Sequence, residues 1–420
     1  VTFKPRTIEE KPTVPEIDKE SLIFGKDRTT NVVCVEVENE KLTIFREVNG
    51  EVTSEERENL FWLVNPSKSD QSFDRLKGDG FYKWIKTTKN RKVFEGARRK
   101  FSFCWSIWDA RESAMVYNGI TYFKGMKVED VSVLSFDIES AGLMAHSYKE
   151  VYMISNTYRS QGKITRKLFS SDEFKSEGEM IEAWCTWVRE VNPSVIVGHN
   201  IYGYDFPYLA ACAKKCKVKL NLGRDGSEIQ FKKGKNPDNF RVDGSQSWEY
   251  RGIRIYGREL MDTMFLATKW DFSRMLPNWR LKDIIGFLNL SKEDRVFYDA
   301  SKIRENWSDP VEREKIKQYG KDDSDDGLAL YDKMIPAFFY LSNTIPKPFC
   351  DMILKASGGQ INSMIVRAYL QEGHGLPQTS PKGPFKGGIS EGCPGIYKNM
   401  YKIDENSLYP SIMRSYNVCD

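Results

Sequence analysis

Histidine is almost absent from this sequence, with three in 420 residues, and the eight cysteines never form a CxxC pair. Cys212 and Cys216 lie one helical turn apart, but no second pair exists to complete a tetrahedron around zinc. A Cys/His metal site is therefore not expected, and the thiols read as free in a reducing compartment. Long apolar runs are also missing. None approaches the about 20 residues that span a bilayer, and no charged-then-apolar leader opens the chain. These absences predict a soluble intracellular protein in a reducing compartment, with no membrane partner. A dominant charge is lacking too, since 63 Lys and Arg face 59 Asp and Glu for a net +4.

What basic charge there is comes clustered. Residues 83–100 hold Lys83, Lys86, Lys89, Arg91, Lys92, Arg98, Arg99 and Lys100 against Glu95, and residues 214–235 hold a second cluster. Such clusters suit phosphate contacts, although a solvated surface is the simpler reading of either one alone. A length of 420 residues implies about two to four domains. The 40% hydrophobic content is that of a globular chain.

Along the chain, Val33, Val35 and Val37 alternate with polar residues, and Asn31–Val48 ends in Asn49-Gly50, a hairpin signature. From Val131 the run VSVLSFDIES reads as a buried strand, and Val151–Tyr158 with Lys163–Phe169 as a second hairpin. Met180, Ile181, Trp184, Trp187, Val188 and Val191 recur at helical spacing. Val195–Val197 forms a short strand running into the loop 198–205, and Pro207 suits the first turn of the next helix. Residues 220–250 read as loop and Pro310–Ile335 as helix. This order predicts a mixed α/β sheet with helices packed against it.

Asp137 and Glu139, two apart in a strand, share one face, while Leu134, Phe136 and Ile138 take the other. Adjacent carboxylates repel unless they are protonated or bridged by a cation, and a hard divalent ion such as Mg²⁺ resolves the conflict. An exposed acidic pair at a strand end explains them equally. Asp205 stands where a loop turns into a helix and could simply cap it. Tyr319 and Asp323, four apart, share a helical face, and with Asp322, Asp325 and Asp326 they could form a charged solvent face.

Taken in order, FDIES, GHNIYGYDFPYL and YGKDD resemble the three exonuclease motifs of the family B DNA polymerases. Gly257–Asp262 and Asn278–Asp283 are similar to that family as well. The resemblance implies a ribonuclease H-like fold in which Asp137, Glu139, Asp205 and Asp323 hold two Mg²⁺ ions, with Mn²⁺ able to substitute. Such ions would drive in-line phosphodiester hydrolysis at a single-stranded 3′ end. By the same resemblance Tyr319 orients the attacking water and Asn200 binds the terminal nucleotide. Phe206 would stack on an unpaired base, with core packing as the plain alternative.

Near the end, Asp404-Glu405-Asn406-Ser407-Leu408-Tyr409-Pro410-Ser411-Ile412 resembles the first polymerase motif of the same family. That implies Asp404 and the Glu405 carbonyl as metal ligands, with Ser407, Leu408 and Tyr409 around a deoxynucleoside triphosphate. Phe385-Lys386-Gly387-Gly388 resembles the family's linker motif that touches template, and the Gly pair permits close approach to a phosphate. No second polymerase aspartate follows, so synthesis is expected to need a carboxy-terminal fragment or subunit. The implied division is an amino-terminal domain (1–128), an exonuclease domain (129–335), a return segment (336–382) and the start of a polymerase palm (383–420). The expected partners are a DNA primer–template and, with a completed palm, deoxynucleoside triphosphates. A stand-alone 3′–5′ exonuclease and a non-catalytic primer–template binding module remain as alternatives.

Overall fold

The computed structural model describes residues 18–142, 150–234, 236–241, 247–378, 391–401, 403 and 407–416. The amino-terminal part opens with α1 (Lys19–Phe24), then an antiparallel meander of β1 (Val32–Glu38), β2 (Lys41–Val48) and β3 (Glu51–Glu58). Asn49 and Gly50 both take positive φ, at 51° and 79°, making the two-residue turn that the sequence predicts there. A second small sheet joins β4 (Phe61–Asn65), β5 (Asp74–Arg75) and β6 (Trp84–Thr88), followed by α2 (Arg91–Lys100) and α3 (Ala110–Asn118).

The central layer starts with β7 (Val133–Ser140), β8 (Val151–Ser160) and β9 (Lys163–Ser170), an antiparallel run. Helix α4 (Glu177–Val191) buries Met180, Ile181, Trp184 and Val188 on one face, as their spacing dictates. Next come β10 (Val195–Gly198) and α5 (Asp205–Cys216). Residues 220–250 are not simply loop. They contribute β11 (Gln230–Phe231), β12 (Asp238–Arg241) and β13 (Ser247–Tyr250), with β14 (Ile253–Arg254) pairing β11. Short polar ribbons of this kind carry too few apolar positions to show period-2 alternation. Strand β15 (Glu259–Asp262) then completes a five-stranded sheet in the order β15-β10-β7-β8-β9, with β15, β10 and β7 parallel.

Helices α6 (Thr263–Trp270), α7 (Leu281–Phe287), α8 (Ile303–Asn306) and the long α9 (Pro310–Met334) follow. Pro310 opens α9 behind the Asp309 cap, which accepts the amides of Val311 and Glu312. The charged solvent face that its aspartates could have formed is not found. Asp322, Asp323, Asp325 and Asp326 are all buried, because α9 lies across the sheet and each carboxylate has a partner.

After α10 (Pro336–Leu341) and α11 (Asp351–Leu354), α12 (Ser357–Gln371) packs against α3. The fully buried Arg367 donates to the carbonyls of Leu22, Ile23 and Thr344. Residues 344–376 thus return to the amino-terminal part. Three buried glutamates tie that part to the central sheet. Glu36 takes Arg254 and the Gly257 N–H, and Glu47 takes the Ser132 N–H and the Ser194 hydroxyl. Glu259 takes the Tyr122 hydroxyl at 2.9 Å and the Cys350 N–H at 3.0 Å. The last element, α13 (Leu408–Tyr416), is a helix whose Leu408, Tyr409, Ile412, Met413 and Tyr416 are exposed. Gly387, Gly388, Asp404 and Glu405 lie outside the described residues.

Candidate active site

The sheet and α9 together build an acidic cluster. Strand β7 is the middle strand, paired parallel to β10 and antiparallel to β8. Its even positions Leu134, Phe136 and Ile138 enter the core, where Phe136 packs on Trp184 and Phe206. Its odd positions Ser135, Asp137 and Glu139 therefore face the other way, toward α9. Helix α9 can come close because it presents glycine there. A Cβ on Gly320 would stand 2.1 Å from the Met153 methyl and 3.6 Å from Glu139 Cγ, and one on Gly327 would stand 2.6 Å from Ser135 Oγ. The Thr157 hydroxyl, on β8, bonds Ser324 Oγ at 3.0 Å and donates to Asp325 at 2.6 Å, which sets the helix along the sheet.

That docking brings carboxylate oxygens of Asp137, Glu139 and Asp323 within 4.8 Å of one another. Asp322 turns away, accepting the Val296 N–H at 2.9 Å and Gln318 at 3.0 Å, so geometry selects Asp323 from the adjacent pair. Asp205 begins α5 without being its cap residue, and its Oδ1 accepts the Ile138 N–H at 3.3 Å. It borders the three carboxylates without joining their tight group.

Burial is the first force on all four groups. It raises Asp137 well above the usual carboxylate range, with Glu139, Asp205 and Asp323 adding repulsion. It raises Glu139 likewise, with Asp323 the strongest neighbour, and pushes Asp205 up to about 8. Asp323 is raised by burial too, although Lys282 and Arg295 pull it back. Two cations cannot neutralise four buried carboxylates, and an all-oxygen donor set suits a hard divalent ion. The residues fit such a metal.

Tyr319 stands one helical turn before Asp323 and is buried. Lys282, at the start of α7, donates to its hydroxyl and sits 4.2 Å from the ring centroid. Arg295 is 2% exposed and bridges Asp323 and Asp326. Neither cation was anticipated, although Lys282 lies inside the family-like run Asn278–Asp283. No periodicity marks a residue whose partner is thirty positions away.

The loop carrying Asn200 and Asp205 has an anchor of its own. Asn200 adopts φ 64°, and its N–H donates to Asp262 Oδ1 at 3.0 Å. Asp262 also accepts the amides of Tyr202 and Met264, and is the cap of α6. His199 is held between Thr263 Oγ1 and the Trp279 carbonyl, and burial lowers it to about 4, so it is neutral. Phe206 corrects an expectation. It is fully buried, 5.1 Å from the Phe136 ring, so packing removes it from any base. Ser407, just before α13, and Leu408 and Tyr409 in its first turn are exposed.

Comparison with known proteins agrees with this geometry. The DNA polymerase family B exonuclease domain matches residues 112–284. A DNA polymerase of Pyrococcus glycovorans is 25% identical over 305 residues, covering 69% of this chain and 37% of that one. The DNA polymerase delta catalytic subunit of Dictyostelium discoideum is 28% identical over 315 residues, covering 68% of this chain and 28% of its own length. The chain thus spans about a third of the length of such relatives. In three dimensions it is similar to the family B DNA polymerase of Pyrobaculum calidifontis, with TM-score 0.64, 18% identity, and coverage of 83% and 51% of the two chains. Residues 112–284 are thus similar to the exonuclease domain of the family B DNA polymerases, and the chain shares its fold with a solved member of that family.

Proposed function

We propose that this chain performs 3′–5′ proofreading excision on DNA for a family B polymerase, using Mg²⁺ held by Asp137, Glu139, Asp205 and Asp323. The convergence of Asp137, Glu139 and Asp323 within 4.8 Å carries the reading. Bound divalent ions would activate water and stabilise the leaving oxygen. The chain's own groups supply the rest. Tyr319, with its hydroxyl against Lys282, would orient a water beside the carboxylates. Asn200, on the loop that Asp262 holds, would bind the terminal nucleotide.

The test uses a 3′-labelled single strand and the purified chain with Mg²⁺. Stepwise release of 3′ nucleotides is expected, and Asp137→Ala and Asp323→Ala should abolish it. Retained release in either pure variant would overturn the assignment.

Synthesis belongs to the same proposal only as a shared task. Asp404, Glu405, Ser407, Leu408 and Tyr409 would contribute one side of a nucleotidyl-transfer site, acting on deoxynucleoside triphosphates along a primer–template. The exposed apolar side chains of Tyr401, Ile403 and α13 favour a covering partner, for which the rest of a palm is the natural candidate. Mixing this chain with a carboxy-terminal polymerase fragment should give nucleotide incorporation above that of the fragment alone.

A further inference from the structure

Away from the carboxylate cluster lies a cleft of about 800 Å³, a volume within the roughly 300–1,000 Å³ of small-molecule sites. Its walls come from the start of α3, the ribbons around β11 and β14, and α11. Most charged groups on those walls are committed to one another. Asp109 caps α3, Asp238 takes Lys232 and the Gly252 N–H, and Arg254 pairs with Glu36.

Two groups keep hydrogen-bonding capacity. The Arg111 side chain is 13% exposed and forms ion pairs with Glu259 and Asp109 at 3.7 and 3.9 Å, distances beyond hydrogen-bond reach. Asp351 is 8% exposed, and its carboxylate accepts no hydrogen bond from the described residues. An ion-paired guanidinium that makes no hydrogen bond keeps its N–H donors for a ligand, and the Asp351 carboxylate keeps its acceptors. Lys233 and Lys355 add two ammonium groups that form no ion pair among the described residues, while the half-buried Phe231 offers ring surface.

We propose that this cleft binds a nucleotide, with Arg111, Lys233 and Lys355 on its phosphate, Asp351 on an N–H-bearing base edge, and Phe231 against the ring. A planar guanidinium matches phosphate, a carboxylate accepts from base amino and imino groups, and aromatic rings stack on any base. A free nucleotide and a nucleotide within a strand share this chemistry.

Calorimetric titration of the full chain in EDTA tests the site, with AMP, GMP, CMP and TMP as separate probes beside inorganic phosphate and an oligothymidylate. Repeating it on Asp323→Ala excludes product binding at the carboxylate cluster, so the two readings fail separately. At least one mononucleotide should bind one-to-one, about tenfold or more tighter than inorganic phosphate. Combined Lys233→Ala and Lys355→Ala should weaken it by about three- to tenfold, and Asp351→Asn should change the ranking of the bases. Arg111→Gln should cost more than about tenfold, with circular dichroism checking its fold. The lysine variant carries the test if that protein does not fold. Binding of the oligothymidylate alone, weakened by the same substitutions, would assign the cleft to a strand nucleotide. Absence of saturable binding by every probe at millimolar concentration would overturn the proposal. So would phosphate binding as tightly as the nucleotides, or affinities that the substitutions leave unchanged.

Discussion

Gly198, the last residue of β10, passes the carbonyl of Phe136 so closely that a Cβ on it would stand 2.7 Å from that oxygen. The Phe136 carbonyl belongs to the middle strand and cannot yield. Gly198→Ala should therefore move the end of β10 and the loop that carries Asn200 and Asp205. A stability loss of about 1–3 kcal/mol is expected, read from urea unfolding midpoints. Excision should fall by more than the unfolded fraction explains.

The metal-free protein should be stabilised, not weakened, by removing one member of the carboxylate cluster. Asp137 and Glu139 are raised by burial and by each other's neighbours, so at neutral pH the cluster is under repulsion. Asp137→Asn should raise the melting temperature in EDTA while abolishing both excision and the stabilisation that Mg²⁺ gives. A lower melting temperature in EDTA would contradict the electrostatic account.

The same groups set a pH dependence. Asp205 stands at about 8 in the fold against an ordinary value of 3.8, and Asp137, Glu139 and Asp323 are shifted the same way. The folded state thus binds more protons than the unfolded chain between those values. Stability contributed by these groups is full below about 4 and declines as pH rises through about 8. Unfolding midpoints measured in EDTA from pH 5 to 8 should show this decline, and Mg²⁺ should flatten it.

Arg295 touches two buried carboxylates at once, Asp323 and Asp326. Arg295→Met would strand Asp326 and leave Asp323 only Lys282 and Tyr319. The expected loss is about 3–5 kcal/mol, measured by chemical denaturation. Doubling the change with Asp326→Asn should recover part of that loss, since one stranded charge disappears.

Tyr319→Phe removes a hydroxyl that Lys282 and Asp323 both contact, while leaving all four carboxylates in place. Metal half-saturation should stay near that of the unaltered protein, while the excision rate falls by about ten- to a hundredfold. A change confined to metal affinity would deny Tyr319 a role in orienting water.

Much of this protein is written locally. The alternation of β7, the hairpin of β8 and β9, the stripe of α4 and the Pro310 start of α9 follow from short-range periodicity and caps, as does the shared face of Asp137 and Glu139. Short polar ribbons such as β12 and β13 escaped, because a four-residue strand carries too little pattern. What the tertiary structure decided depends on residues far apart in sequence. Docking of α9 on the sheet, through Gly320 and Gly327, turned what could be a solvent-facing run of aspartates into buried groups, and chose Asp323 over Asp322. The same close packing enclosed Phe206 and placed Lys282 and Arg295 among the carboxylates. Sequence sets which residues share a strand or helix face, because that geometry repeats every few residues. Only the packing of one element on another sets which charges meet, because long-range contacts obey shape and burial instead of spacing.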